Sequence, residues 1–223
     1  MTELGARAAG LRRRGGRPLL PVLALAAAAG VAGGALVQVS QRAHSAAPAL
    51  PVLHGQAVWA PGARPAPDFA LRDQHGALVS LRSLRGRTVL LTFLDSQCHS
   101  SCPIVGRQLG SVLRRLPAAA RPAIVVVSVD PAGDTRTGIA HALAKWGLAG
   151  PWTLHWLNAA RRVQLEHVWK RYGIVVQPTS HDIMHSLALY LIDRRGDERT
   201  AYLFPFLPVF VQHDLSRLAA EPA

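Results

Sequence analysis

The 223-residue chain has only two cysteines, Cys98 and Cys102, and these are near neighbours. A pair so close in sequence cannot form the multiple-disulfide framework that holds small secreted scaffolds together. It serves instead as a redox couple or as part of a metal site. Lysine is almost absent, with Lys145 and Lys170 alone, and aromatic residues make up 6% of the chain. Despite a formal net charge of +12, no basic stripe with interleaved aromatics occurs, which argues against a nucleic-acid-binding protein. The charge lies instead in an N-terminal cluster (Arg7, Arg12, Arg13, Arg14, Arg17) and in scattered pairs such as Arg114-Arg115 and Arg194-Arg195. There is no internal repeat, and the length suits one domain with an N-terminal extension.

That extension contains the one long apolar run. Leu19 to Val37 carries no charged side chain and approaches the ~20 residues that cross a bilayer as a helix. The arginines before it predict an N-terminus inside and the remainder outside. The sequence therefore divides into a basic cytoplasmic segment (1–18), a transmembrane anchor or signal segment (19–39), an Ala/Pro-rich stalk (40–65) and a domain at 66–223. An anchor is favoured over a cleaved signal because the run exceeds the usual h-region of about 7–15 residues. In either case the domain works on the extracytoplasmic side of the cytoplasmic membrane, held there by a single pass if the anchor is retained.

From Asp68 onward, short apolar runs alternate with amphipathic stretches. Thr88–Leu94 and Ala123–Val129 read as buried strands. Ile104–Leu116 reads as a helix opened by Pro103, and Thr135–Trp146 and Ala160–Tyr172 as helices stopped by Gly147 and Gly173. Val79–Leu81 and Thr153–Leu157 are weaker strands, Ser186–Ile192 and Thr200–Phe204 form an antiparallel pair, and Val209–Leu218 is a final helix. This order predicts an α/β fold, a thioredoxin-like three-layer sandwich with a central mixed sheet.

The chemistry concentrates in Thr92–Pro103, TFLDSQCHSSCP, where two thiols follow a buried strand and precede a helix. Thiolates at that position feel the positive end of the helix dipole, which lowers their pKa. Three residues separate the cysteines, one more than in C-x-x-C oxidoreductases, and the wider loop lets both sulfurs converge on one centre. Soft thiolates with an imidazole nearby favour copper. Among the ten histidines, His185 is best placed. It lies just before the strand Ser186–Ile192, which reaches the cysteine loop if it runs antiparallel to Thr88–Leu94. His99, between the cysteines, and His181 are the competitors.

Four segments taken in order give the chain a resemblance to the Sco/SenC family of copper-delivery proteins for respiratory cytochrome oxidase. They are APDFALRDQHG at 66–76, CHSSCP at 98–103, SVDPAGDT at 128–135 and HSLALYLIDRRG at 185–196. The resemblance implies that Cys98, Cys102 and His185 hold one copper ion per chain, as Cu(I) or Cu(II), in a monomeric protein. It further implies that the recipient is the binuclear copper site of an oxidase subunit, and that a reductase role toward that subunit's cysteines is possible. Asp130 and Asp134 match the family's acidic segment and read as helix caps or loop supports. Met184 stands directly before His185, where the family usually carries an acidic residue. The competing function is a thiol-disulfide oxidoreductase that uses the Cys98/Cys102 dithiol without metal.

Overall fold

A computed structural model describes residues 52–180 and 182–222. The expected anchor at 19–39 and the start of the stalk lie outside the described residues. No helix among the described residues is long and apolar enough to cross a membrane.

The fold is built on a six-stranded mixed sheet in the order β1-β10-β9-β4-β5-β6. At its centre β4 (Val89–Leu94) and β5 (Ala123–Ser128) run parallel, followed outward by parallel β6 (Leu154–Leu157). On the other side β9 (Ala188–Ile192) pairs antiparallel with β4, β10 (Glu198–Leu203) with β9, and β1 (Ala57–Val58) with β10. Every residue of β4 and β5 is buried, because both faces of the sheet are covered. That double burial explains why these strands read as continuous apolar runs rather than alternating ones.

Alternate strand residues feed two cores. Leu90, Leu94, Ile124, Val126 and Trp156 face a layer formed by α1 (Cys102–Arg115), α2 (Arg136–Lys145) and α4 (Pro208–Ala220). Leu91, Phe93, Val125 and Val127 face α3 (Arg162–Arg171) and the hairpin of β2 (Ala70–Arg72) with β3 (Leu78–Ser80). The result is the expected three-layer, thioredoxin-type α/β arrangement.

Helix α1, which carries Cys102, is seated closely against the segment after α2. A Cβ at Gly106 would stand 2.7 Å from the Cβ of Trp146, and one at Gly110 would stand 2.4 Å from the Gly147 carbonyl oxygen. Gly147 itself has φ of 68°, the left-handed conformation that ends α2 where the sequence places its stop.

Three features differ from the sequence reading. Residues 53–65, assigned to the stalk, belong to the domain: Leu53 is buried, Ala57 and Val58 form β1, and Pro65 bridges to Asp197. Their Ala/Pro-rich composition hides an edge strand too short to show periodicity. The segment before β9 contains an additional hairpin, β7 (Val176–Pro178) with β8 (Ile183–His185). His185 therefore ends a strand of its own, and β9 starts at Ala188 rather than Ser186.

Candidate metal centre

The cysteine loop begins where β4 ends. Asp95 directs a carboxylate oxygen to the Gln97 N–H at 2.7 Å, and its carbonyl accepts from the Cys98 N–H at 3.3 Å. This turn fixes Cys98 above the sheet. Cys102 is the first residue of α1 and is fully buried, with Pro103 following it where a missing N–H is harmless. Both cysteines are free thiols.

The two thiols are driven apart in acidity. The Cys102 thiol is the chief hydrogen-bond donor to the Cys98 sulfur, aided by Ser100 and by the N–H groups of Cys102 and Ser100, and together they outweigh burial and draw Cys98 down to about 4. The same hydrogen bond, with burial, pushes the Cys102 thiol well above its ordinary range. Cys98 is accordingly the thiolate and Cys102 the thiol at neutral pH.

His185 arrives from the hairpin. Its position is set by pairing with Val176 across β7 and β8, and by the Ser186 N–H donating to the Val175 carbonyl at 3.0 Å. The antiparallel pairing of β9 with β4 brings this end of the chain to the cysteine loop. Burial lowers the pKa of the imidazole, keeping it neutral. Its Nδ1 lies 3.2 Å from the Ser186 carbonyl oxygen. A carbonyl only accepts, so Nδ1 carries the proton and Nε2 keeps its lone pair. Nε2 lies 3.5 Å from the Cys102 sulfur. The structure thus links Cys98 to Cys102 and Cys102 to His185, along one wall of a cavity of about 370 Å³ that Ile183, Met184 and Asp182 also line.

The competing histidines are placed differently. His99 is exposed and faces a separate depression with Asp130 and Thr179. His181 lies outside the described residues.

Asp134 supports the loop and does not cap a helix. It is buried, and its carboxylate accepts from the Ser96 N–H and from the Trp156 indole N–H, each at 2.8 Å. The cap of α2 is Thr135, whose hydroxyl accepts from the Gly138 N–H at 3.1 Å. Replacing Asp134 by alanine strands both N–H groups without an acceptor, at roughly 1–3 kcal/mol each. Asp134→Ala is expected to lower unfolding stability by roughly 2–6 kcal/mol in denaturant titration. It should also loosen Ser96 and with it the cysteine loop.

Asp95 stands within the cysteine motif, and the sequence by itself assigns it no role. Burial, opposed by the Gln97 N–H and reinforced by Asp134, Asp130 and Cys98, pushes its carboxyl up to about 7. A carboxyl that is partly neutral at neutral pH repels the adjacent thiolate less than a full charge would. A carboxylate directly after an all-apolar strand, three residues before the first cysteine, was the available signal.

Comparison with known proteins places the chain in a family. The SCO1/SenC family profile covers residues 60–217. The chain belongs to the SCO1/SenC family. A SCO1 protein homolog from Bacillus subtilis (strain 168) is 27% identical over 147 residues, spanning 60% of this chain and 75% of that protein. The copper-bound structure of ScoI from Bradyrhizobium japonicum superposes with a TM-score of 0.57 at 26% identity, covering 69% of this chain and 99% of ScoI. The structure of BsSco, described as a member of the Sco family of cytochrome c oxidase assembly proteins and as having a disulfide switch, gives a TM-score of 0.61 at 22% identity. That alignment covers 75% of this chain and all of BsSco (100%). SCO1/SenC membership accords with the mixed sheet and with the cysteine loop between β4 and α1.

Proposed function

We propose that this SCO1/SenC protein is a metallochaperone that binds one copper ion through Cys98, Cys102 and His185 and delivers it to the binuclear copper site of an oxidase subunit. One observation carries the reading: an imidazole whose Nδ1 is tied to a backbone carbonyl presents its free Nε2 3.5 Å from one of two adjacent thiols. Two thiolates suit Cu(I), and the imidazole adds a ligand that Cu(II) also accepts. The tie to Ser186 orients the ring in the way that outer hydrogen bonds orient metal-ligating histidines.

Delivery proceeds by ligand exchange. A partner thiolate enters as one protein sulfur leaves, so the ion is never free. In this reading the protein acts as a monomer, held by a single pass through residues 19–39, with 1–18 inside and the domain on the extracytoplasmic side. When the copper-loaded chain is mixed with a copper-free oxidase domain bearing a binuclear copper site, the metal is expected to move to that domain. Copper that stays with the chain at equilibrium would count against delivery.

Uptake must be pH-dependent, because a thiol loses its proton to ligate. Cys98 is already a thiolate above about pH 4, whereas Cys102, its pKa raised, still holds its proton. Binding therefore releases one proton, and apparent Cu(I) affinity is expected to rise about tenfold per pH unit from about pH 5 to 8. It weakens correspondingly as pH falls, and more steeply below about pH 4, where Cys98 is protonated as well. Competition against a Cu(I) chelator across this range measures the slope.

A second reading also has support in the site. A thiolate at Cys98 hydrogen-bonded to the Cys102 thiol is equally the starting state of a dithiol-disulfide couple. That oxidoreductase would turn over a disulfide substrate without metal and would be indifferent to His185→Ala.

A further inference from the structure

A second cluster of metal-ligating side chains lies at the α4 end of the fold, outside the cysteine site. Among the described residues, the donor atoms of His54, His213 and Asp214 all lie within 4.8 Å of one another. His54 Nδ1 is 2.8 Å and His213 Nδ1 3.1 Å from the same Asp214 oxygen, Oδ1. The carboxylate is fully buried, while the His54 and His213 side chains are 28% and 46% exposed. We propose that these three side chains form a second metal site, one that takes a divalent transition ion such as Zn(II) or Cu(II) and ties the start of the domain to its last helix.

The donor set fits that class of ion. Two imidazole nitrogens and a carboxylate oxygen are borderline-to-hard ligands, suited to Zn(II) and Cu(II) and unlike the soft dithiol of the first site. A tetrahedral ion with bonds of about 2.0–2.2 Å holds neighbouring donors about 3.3–3.5 Å apart. The two nitrogen-to-oxygen spacings of 2.8 and 3.1 Å need to open by a few tenths of an ångström, the two imidazole nitrogens, within 4.8 Å of each other, need to settle at the same spacing, and the exposed imidazole edges leave the fourth position to water.

The surroundings hold the donors in place. Asp214 Oδ2 accepts from the His54 backbone N–H at 2.7 Å and from the Tyr202 hydroxyl. The His54 ring stacks on Phe210, with centroids 4.7 Å apart, and meets the His213 ring edge-on at 4.6 Å. Anchoring a buried carboxylate is already achieved by Tyr202 and by the two nitrogens of His54. The exposed His213 adds a further nitrogen aimed at the same oxygen, which anchoring does not require and ligation does.

The ion would link His54 to α4, which packs through Val211, Leu215 and Leu218 into the same core as Cys102. Loading should therefore stiffen the entry to the domain without touching the cysteine loop.

The test uses the full chain in detergent micelles, with Cys98→Ser, Cys102→Ser and His185→Ala combined to remove the first site, and Zn(II) as probe. That chain is expected to bind one equivalent of Zn(II), and its melting temperature to rise with the metal. Adding His213→Ala, or His54→Phe, which keeps the stack on Phe210, is expected to weaken Zn(II) binding at least ~100-fold. Asp214 is left intact, because its loss would unpair Tyr202 and the His54 N–H in the interior. Failure of the thiol-free chain to bind Zn(II) stoichiometrically would overturn the proposal, as would Zn(II) affinity in the His213→Ala and His54→Phe chains equal to that of the thiol-free parent.

Discussion

Cys102→Ser is expected to abolish stoichiometric copper binding, with apparent Cu(I) affinity falling by far more than the ~10–100-fold that loss of an outer-shell partner costs. In the proposed site Cys102 is the central donor, its thiol being the largest influence that lowers the Cys98 pKa and its sulfur lying 3.5 Å from His185 Nε2. A serine hydroxyl keeps its proton at neutral pH and is a hard donor, so a soft ion has no reason to stay. Alanine at the same position gives a signature that needs no metal. In Cys102→Ala, which removes the donor that a serine hydroxyl would restore, Cys98 loses the largest influence holding it near 4, and its ultraviolet thiolate absorbance is expected to titrate at markedly higher pH. An unchanged titration in Cys102→Ala would mean that the Cys102 thiol does not donate to Cys98. Because serine occupies the same first position of α1, the fold should persist.

His185→Ala has a more selective effect. Both thiols remain, so Cu(I) is expected to bind, but at least ~100-fold more weakly. Cu(II), which needs the nitrogen ligand, is expected to be lost. The side chain borders a cavity and its hydrogen bonds go to the neighbouring carbonyl and to the Cys102 sulfur alone, so unfolding stability should shift little. That combination separates the two readings of the site. A dithiol oxidoreductase would keep its disulfide turnover in this variant, whereas a copper carrier would fail to load.

The large elements of the fold were legible because they obey strong, local rules. The runs that became β4 and β5 are apolar throughout since both faces are covered, and Gly147 and Gly173 mark helix ends through positive φ of 68° and 67°. The elements that escaped are those held by distant partners or too short to show a period. β1 exists because β10 accepts it, and the β7–β8 hairpin consists of strands three residues long, one of them containing Pro178. The missed hairpin matters most, since it carries His185.

The site shows the same division. Two cysteines between a strand and a helix announce themselves by spacing, whereas His185 was singled out from ten histidines by its place before a strand and by the family resemblance. Asp134 was expected among caps and loop supports, but its grip on Ser96 and Trp156 depends on the packing of β4, α2 and β6. The cluster of His54 with Asp214 joins residues 160 positions apart, and no periodicity or motif connects them.

In the proposed site two sulfurs and the His185 nitrogen meet on one copper ion. Anaerobic Cu(I) titration of the chain, read by X-ray absorption at the copper edge, addresses it directly. Saturation is expected at one copper per chain, with two sulfur ligands and one nitrogen, and with loss of that nitrogen alone in His185→Ala. A copper environment that is identical in the wild-type and His185→Ala proteins, or one without sulfur, would contradict it.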